Sequence, residues 1–373
     1  MPAVFEHHLP NGLTLLISRQ PQLHGIRMGL YLRGGSLYED RETQGISHLL
    51  EHLCFRGIGP MDHDGLERFQ SEVGMTLEGA TYPEAVVFTM GCLPRFYERL
   101  LHLFHGFFEG RVWTEREIAL EKQVVLRQIE EEEPDFDDEA ELRFRATQAG
   151  SFPVMGTEES VLAMSGETIR LWQGLLFQPQ NACLCISGPL SKGQEAAAIA
   201  IFSDLTNTTE EPPFDQPLPG DFCMRDASAD VVTTQEGGLA SVHLGFDINP
   251  ERVFPVMDDI LNAITAGGTD SLLFQKLREE LALVPDIHSY IEETGMYRRL
   301  VIRWDVRQEW LSRSLRQVFT LLKRLCIYIR PVRMELSRMQ FTDNLVLLED
   351  DAEGMNELMG WSWVSDDMAH CDL

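Results

Sequence analysis

The two halves of this 373-residue chain repeat one order of predicted elements. In each half, alternating apolar residues predict strands, and apolar residues three or four apart predict helices, in the order strand, helix, strand, strand, helix. The length fits about two or three domains, and the 44% of hydrophobic residues can fill more than one core. We therefore predict an α+β fold of two similar domains, each with an antiparallel sheet and helices packed on one face.

The polar, proline-rich segment 206–220 separates the two halves. Proline and short polar residues favour turns and loops over regular structure, so we interpret this segment as an interdomain linker. The predicted N-terminal domain spans residues 1–208, and the predicted C-terminal domain spans residues 221–373.

Composition argues against two classes of partner. The formal net charge of −28 opposes binding to nucleic acid or to an anionic membrane surface. No apolar segment is long enough to span a bilayer, and the N-terminus lacks the basic and apolar regions of a secretion signal. The seven cysteines include no CxxC pair, which favours a reducing compartment. We expect a cytoplasmic protein that binds neither nucleic acid nor a membrane.

The stretch His48-Leu49-Leu50-Glu51-His52 is the candidate site for chemistry. Two imidazoles four residues apart, with a carboxylate between them, fall on one face of a helix. Neutral imidazole is a strong zinc ligand, and a carboxylate beside the second ligand can take a proton from a water at the metal. This order is that of the inverted zincins, H-x-x-E-H. The five residues alone are equally compatible with an amphipathic helix that exposes its polar face.

Several segments around and beyond this motif follow the pattern of one enzyme family. They are, in chain order, Gly35–Asp40, Gly45, Phe55–Gly57, Gly74, Thr81, Glu84, Phe88, Gly267-Gly268, Ser271–Phe274 and Leu277–Glu279. With these residues, nearly the whole chain resembles the pitrilysin and insulin-degrading enzyme family of metallopeptidases. The similarity is to its short bacterial form, which is related to mitochondrial processing peptidase.

The resemblance implies a zinc-dependent endopeptidase. His48 and His52 would bind the zinc ion, and Glu51 would act as general base on the attacking water. The family takes its third ligand from a neighbouring helix, with a second acid seven residues earlier, and the matching positions here are Gln128 and Glu121. The peptide substrate would bind as an added strand at the sheet edge formed by Leu77, Glu78 and Gly79.

The third ligand departs from the family pattern. Position 128 is Gln where the family has Glu, and an amide oxygen lacks the carboxylate's charge. Glu121, Glu131 and Glu132 stay open as alternative ligands. Where the family has Asn, this chain has Glu78, and we hypothesise that this carboxylate restores the missing charge.

The second half also departs from the pattern. Arg278 matches an Arg that the family uses, with a Tyr seven residues later, to stabilise the tetrahedral oxyanion, but the Tyr position is Pro285. Proline has no hydrogen-bond donor, and the loss of one oxyanion donor costs about 3 kcal/mol of transition-state stabilisation. The chain also stops soon after Val364, earlier than family members complete the second domain.

Two functions follow as hypotheses. The first is a zinc endopeptidase subunit that cleaves a small unfolded or precursor peptide, with a homologous partner subunit supplying the oxyanion residues. A hetero-oligomer is the favoured assembly, and a homodimer is the alternative. The second is a catalytically impaired family member that binds peptide or scaffolds an active partner. The intact histidine motif favours the first hypothesis, whereas Gln128 and Pro285 favour the second.

Overall fold

A computed structural model describes residues 4–131, 153–214, 229–233, 238–248, 261–262, 264–294, 297–325 and 331–365. These residues group into two compact units. The first unit contains the described residues up to 214 and those from 346 onwards, and the second contains those from 229 to 345. Each unit combines one sheet with helices, which confirms the predicted α+β class.

A six-stranded sheet forms the centre of the first unit, in the order β1-β2-β8-β3-β7-β6. Neighbouring strands are antiparallel except for the parallel pair β2 and β8. The last strand, β6, is an edge strand within the described part of the chain. The strands are β1 Val4–His8, β2 Thr14–Arg19, β3 Ile26–Arg33, β6 Glu78–Thr81, β7 Ala85–Cys92 and β8 Ala182–Gly188, and the short pair β4 Gly57–Ile58 and β5 Met61–Asp62 lies outside this sheet.

Helices cover both faces of this sheet. One face carries the larger apolar core, with residues of the helices at 46–54, 97–106 and 166–176. The α-helices of this unit are α1 Ile46–Cys54, α2 His63–Val73, α3 Tyr97–Gly106, α4 Glu115–Glu131, α5 Glu158–Ala163, α6 Gly166–Leu176, α7 Lys192–Ser203 and the C-terminal helix α10 Ala352–Val364. Short 3-10 helices lie at Ser36–Tyr38, Pro94–Phe96, Phe107–Glu109, Pro179–Asn181 and Leu348–Asp350.

The C-terminal helix α10 packs on the other face of the same sheet. Its residues Met355, Met359 and Trp363 form a second core with sheet residues that include Tyr31 and Cys183. The buried Asn356 side chain donates to the Cys185 carbonyl at 2.9 Å, so the contact is polar as well as apolar. The predicted C-terminal domain, 221–373, included this helix, but its contacts place it in the first unit.

The predicted linker, 206–220, is only partly a linker. Phe214 is buried, with its ring 5.2 Å from that of Tyr38 and 5.3 Å from that of Trp172. The Thr208 backbone N–H donates to the Gln178 side chain at 2.7 Å. The segment up to Phe214 therefore belongs to the first unit, because one aromatic anchor outweighs a composition that is typical of loops. Residues 215–220 lie outside the described residues.

The second unit contains a four-stranded antiparallel sheet in the order β11-β12-β10-β9. Buried residues of β10 and β12, including Val242, Leu244, Ile302 and Trp304, form its core with Leu273 and Leu277. Its elements are β9 Ala229–Thr233, β10 Leu239–Ile248, a helical turn Leu272–Phe274 that continues as a π-helix Gln275–Glu280, β11 His288–Thr294, β12 Tyr297–Arg307, a 3-10 helix Gln308–Trp310, α8 Leu311–Lys323 and α9 Pro331–Leu347.

Two predicted helices fall partly or wholly outside the described residues. Apolar residues at helical spacing predict helices at 138–149 and 250–266. The first of these segments lies entirely outside the described residues, and the second is described only near its end. Among the helices that the structure does describe, none has the length and apolar composition needed to cross a membrane.

Gly360 gives a test of the packing between the C-terminal helix and the sheet. A Cβ added at Gly360 would lie 2.1 Å from the Tyr31 ring, whereas one added at Gly174 in α6 would meet nothing within 4 Å. We expect Gly360→Ala to lower the free energy of unfolding by roughly 1–3 kcal/mol, because the buried ring cannot move away without strain. Gly174→Ala, the matched control, should raise it by about 0.5–1 kcal/mol through helix propensity. Urea denaturation measures both, and equal behaviour of the two variants would contradict the packing described.

Candidate active site

Helix α1 carries the histidine motif and is buried on most of its surface. It contacts α4, α6 and the edge strand β6. The apolar residues Ile46, Leu49, Leu50 and Leu53 pack into the core, which leaves His48, Glu51 and His52 to face α4 and β6. The motif residues therefore lie in a protected cleft of the first unit rather than on an exposed amphipathic helix.

The start of α1 is fixed by Gly45 and Glu39. Gly45 has a φ of 82°, and a Cβ there would lie 2.4 Å from the Met155 carbonyl oxygen. The Glu39 carboxylate accepts the Gly45 N–H at 2.8 Å and the Ser47 N–H at 3.0 Å, which satisfies donors that the helix itself cannot pair. Burial raises the pKa of Glu39 above its usual value, against these two backbone hydrogen bonds.

Glu121 holds His52 and Arg56 together. Its Oε2 lies 3.2 Å from His52 Nδ1, and its Oε1 accepts a hydrogen bond from Arg56 Nε. Burial would raise the pKa of Glu121, but His52 and Arg56 lower it below its usual value, so the group is a carboxylate. When His52 Nδ1–H donates to this carboxylate, the His52 Nε2 lone pair is available to a metal.

His48 faces Gln128 across the cleft. The distance from His48 Nε2 to Gln128 Oε1 is 3.2 Å, and the two motif rings lie 4.6 Å apart, centroid to centroid. Burial alone would lower the pKa of His48, but Glu51, the Gln128 amide oxygen and Glu39 raise it above its usual value. His48 Nδ1 is buried without a hydrogen bond, with Glu51 Oε2 at 3.5 Å.

Glu51 leans against the edge strand. Thr81 Oγ1 donates to Glu51 Oε2 at 3.0 Å, and a Cβ added at Gly79 would lie 2.7 Å from Glu51 Oε1. Gly79 and Thr81 therefore face α1 from the same side of β6, as residues two apart on a strand must. The carboxylate lies directly beside the strand at which a peptide is expected to bind.

One pair of these candidate donors, an imidazole and an amide oxygen, has the spacing of two zinc ligands. Two ligands of a tetrahedral zinc, each about 2.0–2.1 Å from the metal, are separated by about 3.3 Å. The 3.2 Å between His48 Nε2 and Gln128 Oε1 matches that separation. Within the described residues no three His, Cys, Asp or Glu side chains cluster as a metal site, and Gln128 is not one of these four residue types.

The backbone of β6 leaves its outer edge unpaired within the described residues. The Tyr82 N–H bonds to the Ala85 carbonyl at 2.8 Å, and Thr81 is opposite Val86. Since hydrogen-bonded and non-bonded pairs alternate in an antiparallel ladder, Gly79 and Thr81 direct their backbone groups towards the open edge. Leu77 differs, because its side chain is buried and its N–H donates to the Gln70 side chain at 2.8 Å.

Glu78 lies on the opposite face of the sheet from the motif. Its carboxylate pairs with Arg27 and accepts a hydrogen bond from Thr89 Oγ1 at 3.3 Å. Arg27 in turn pairs with Glu353 of the C-terminal helix at 2.8 Å. The strand's alternation sends position 78 away from α1, so the geometry contradicts the hypothesis that Glu78 restores the missing ligand charge.

The other predicted residues are Glu131, Glu132, Arg278 and Pro285. Glu131 is exposed at the last residue of α4, and Glu132 lies outside the described residues. Arg278 belongs to the second unit, where it lies over the Phe274 ring and 3.6 Å from Glu279. Pro285 is exposed in the same unit.

Three supporting residues had no predicted role: Glu39, Arg56 and Thr81. Arg56 lies four residues after His52, so helical spacing could have indicated that both reach one carboxylate. Glu39 could have been suspected as a capping acid shortly before a helix. Thr81 matches the family pattern, but that match assigns it no role, because its contact with Glu51 depends on how the strand packs against the helix.

Comparisons with known proteins define the class. The profile of insulinase, peptidase family M16, matches residues 14–150, and that of the peptidase M16 inactive domain matches residues 164–341. Together these matches cover most of the chain. The chain therefore belongs to peptidase family M16, as its motifs indicated, and this family is zinc-dependent.

Several similar proteins are named as zinc proteases. The zinc protease YmxG of Bacillus subtilis is 23% identical over 363 residues, covering 94% of this chain and 87% of the relative. A zinc protease of Rickettsia felis is 24% identical over 369 residues, covering 96% and 86%. The beta subunit of the mitochondrial-processing peptidase of Blastocladiella emersonii is 26% identical over 164 residues, which covers 42% of this chain and 35% of that subunit.

Solved structures share the fold. A protease from Helicobacter pylori has a TM-score of 0.83 at 18% identity, covering 99% of this chain and 91% of that one. A peptidase M16 inactive domain from Pseudomonas fluorescens has a TM-score of 0.80 at 16% identity, covering 99% and 91%. The two-domain α+β architecture is thus that of M16 peptidases.

Glu121→Gln tests the support of His52. The amide keeps the size of the side chain but loses the charge that holds His52 Nδ1–H and Arg56. We expect zinc affinity to fall by about 10–100-fold, as for other partners of metal-ligating histidines. Glu115→Gln, on the same helix, should leave the affinity unchanged. Competition with a chelator measures both, and equal affinities for the two variants would refute the role of Glu121.

Proposed function

We propose that this protein is a zinc-dependent endopeptidase subunit that cleaves a small unfolded or precursor peptide in the cytoplasm, together with a homologous partner subunit. One observation carries the proposal: Glu51 lies between two candidate imidazole ligands and an open sheet edge, held by Thr81 at 3.0 Å. A structural helix has no need of a buried carboxylate in that position.

The metal-binding residues of the proposed site are His48, His52 and Gln128. Zinc bound there would polarise the scissile carbonyl and make a water molecule acidic enough to attack it near neutral pH. Glu121 orients His52, and its charge partly offsets the neutral amide at position 128. The candidate cleft therefore holds two carboxylates, Glu51 and Glu121, close to the three donors without using either as a ligand.

Glu51 is the proposed general base. It accepts the proton of the attacking water and passes it to the leaving amine, so that one carboxylate serves both half-reactions. The peptide binds as a strand along β6, with its backbone paired to Gly79 and Thr81, and this orientation brings its carbonyl groups past the motif. An unfolded segment can form such a strand, whereas a folded domain cannot.

The residues that stabilise the oxyanion would have to come from a partner subunit. Arg278 is half-exposed and engaged with Glu279 and the Phe274 ring, and Pro285 has no donor to offer. A homologous subunit that supplies a donor pair would complete the transition-state support. The relation to a mitochondrial-processing peptidase subunit favours a hetero-oligomer over a homodimer, because that relative is itself named as one subunit of an enzyme.

The alternative function is that of a peptide-binding or scaffolding subunit without activity. The neutral Gln128 and the exposed Pro285 favour it. The zinc content of the purified protein, alone and with a homologous partner, separates the two functions. If the protein contains less than about 0.1 equivalent of zinc in both states, the peptidase proposal fails, because His48 and His52 would then not be zinc ligands.

Glu51→Gln tests the general base. The amide cannot accept the proton, so we expect cleavage of a reporter peptide to fall by at least about 100-fold while zinc stays bound. Peptide hydrolysis and metal analysis are measured on the same preparation. Wild-type cleavage rates in this variant would remove Glu51 from the mechanism, and loss of zinc would instead show a structural role.

Gln128→Glu tests the third ligand by restoring the family's residue. A carboxylate at 3.2 Å from His48 Nε2 would bring a negative charge to the two imidazoles. We expect zinc affinity to rise about tenfold or more, since an anionic oxygen binds zinc more strongly than a neutral amide. Gln123→Glu, an exposed position on the same helix, is the control. An affinity unchanged by Gln128→Glu would mean that position 128 does not reach the metal.

A further inference from the structure

We propose that Thr81 is a positioning residue, which couples the register of a bound peptide strand to the orientation of Glu51. The inference deepens the proposed peptidase function and rests on it. The Thr81 hydroxyl would hold the Glu51 carboxylate at a fixed place relative to β6, the strand to which the substrate would pair.

The hydroxyl of Thr81 is the donor that fixes the Glu51 carboxylate. Its Oγ1 donates to Oε2 at 3.0 Å, whereas His48 Nδ1, at 3.5 Å from the same oxygen, makes no hydrogen bond. Glu51 is only 6% exposed, and a hydrogen bond to a carboxylate is stronger where water is excluded. The bond occupies Oε2 and leaves Oε1 as the oxygen that can receive a proton.

The same residue faces the expected substrate with its backbone. Thr81 is opposite Val86 in a non-bonded position of the ladder, so its N–H and C=O point to the open edge of β6. A peptide added at that edge would pair with Thr81, whose side chain holds the base. Any shift of the peptide along the strand therefore changes the distance between its carbonyl group and Glu51.

Gly79 leaves the space that this arrangement needs. A Cβ at that position would lie 2.7 Å from Glu51 Oε1 and 2.9 Å from the Phe55 ring. The Glu51 carboxylate thus lies between Thr81, which donates a hydrogen bond to it, and Gly79, which has no side chain to displace it. The tight connection of β6 to β7, closed by the Tyr82 N–H to Ala85 carbonyl bond at 2.8 Å, keeps the strand in this register.

Three variants test the proposal. Thr81→Val keeps the shape of the side chain but removes the hydroxyl donor, whereas Thr81→Ser keeps the donor. Thr89→Val is the matched control, because it removes a hydroxyl from the neighbouring strand β7 that accepts a hydrogen bond from Arg27. We expect kcat of the zinc-loaded protein and partner complex to fall roughly 10–100-fold in Thr81→Val, with KM and zinc content unchanged. Thr81→Ser should restore kcat, and Thr89→Val should leave it at the wild-type value.

A second readout does not depend on activity. In crystals of the metal-free Thr81→Val protein, the Glu51 carboxylate should leave its position beside β6, and in Thr81→Ser it should keep it. A wild-type kcat in Thr81→Val, or an unmoved Glu51, would overturn the inference. If the wild-type protein with its partner cleaves no peptide, the proposed function fails, while the crystal structures still decide whether Thr81 positions Glu51.

Discussion

The buried contact of Glu121 with His52 and Arg56 is the interaction on which the site depends. It joins α1, which carries both histidines, to α4, which carries Gln128. Glu121 is the hydrogen-bond partner of both His52 and Arg56, and without its charge these two side chains would lose that partner at a largely buried position. The contact therefore contributes to the separation of α1 and α4, together with apolar residues of α4 such as Val125.

The motif helix and the common face of its polar residues could be predicted, because both depend on local spacing in the sequence. His48, Glu51 and His52 share a face at helical period, and Gly45 marks where the helix begins. The place of Gln128 followed from its resemblance to a family pattern and agrees with the cleft that α1 and α4 form. Local spacing, however, says nothing about which residues approach from a distant strand.

Three features escaped prediction for that reason. The direction of Glu78 depends on the phase of β6, since a shift of one residue would exchange it with Gly79 at the motif. The anchoring of Phe214 depends on a gap between Tyr38 and Trp172 that only the folded unit creates. The position of α10 depends on a match between the small residues Gly29 and Gly360 and the bulk of Asn356 and Tyr31. All three depend on how side chains fit together in the folded unit rather than on helix or strand propensity.

The return of α10 to the first sheet has a consequence for biosynthesis. The strands that it covers end at residue 188, yet the covering helix begins at residue 352. At a synthesis rate of about 5–20 residues per second, that face of the sheet waits on the order of ten seconds for its cover while the second unit is made. During that interval the nascent sheet exposes apolar surface that includes Tyr31 and Val87. The first unit is thus completed only after the residues of the second unit have been translated.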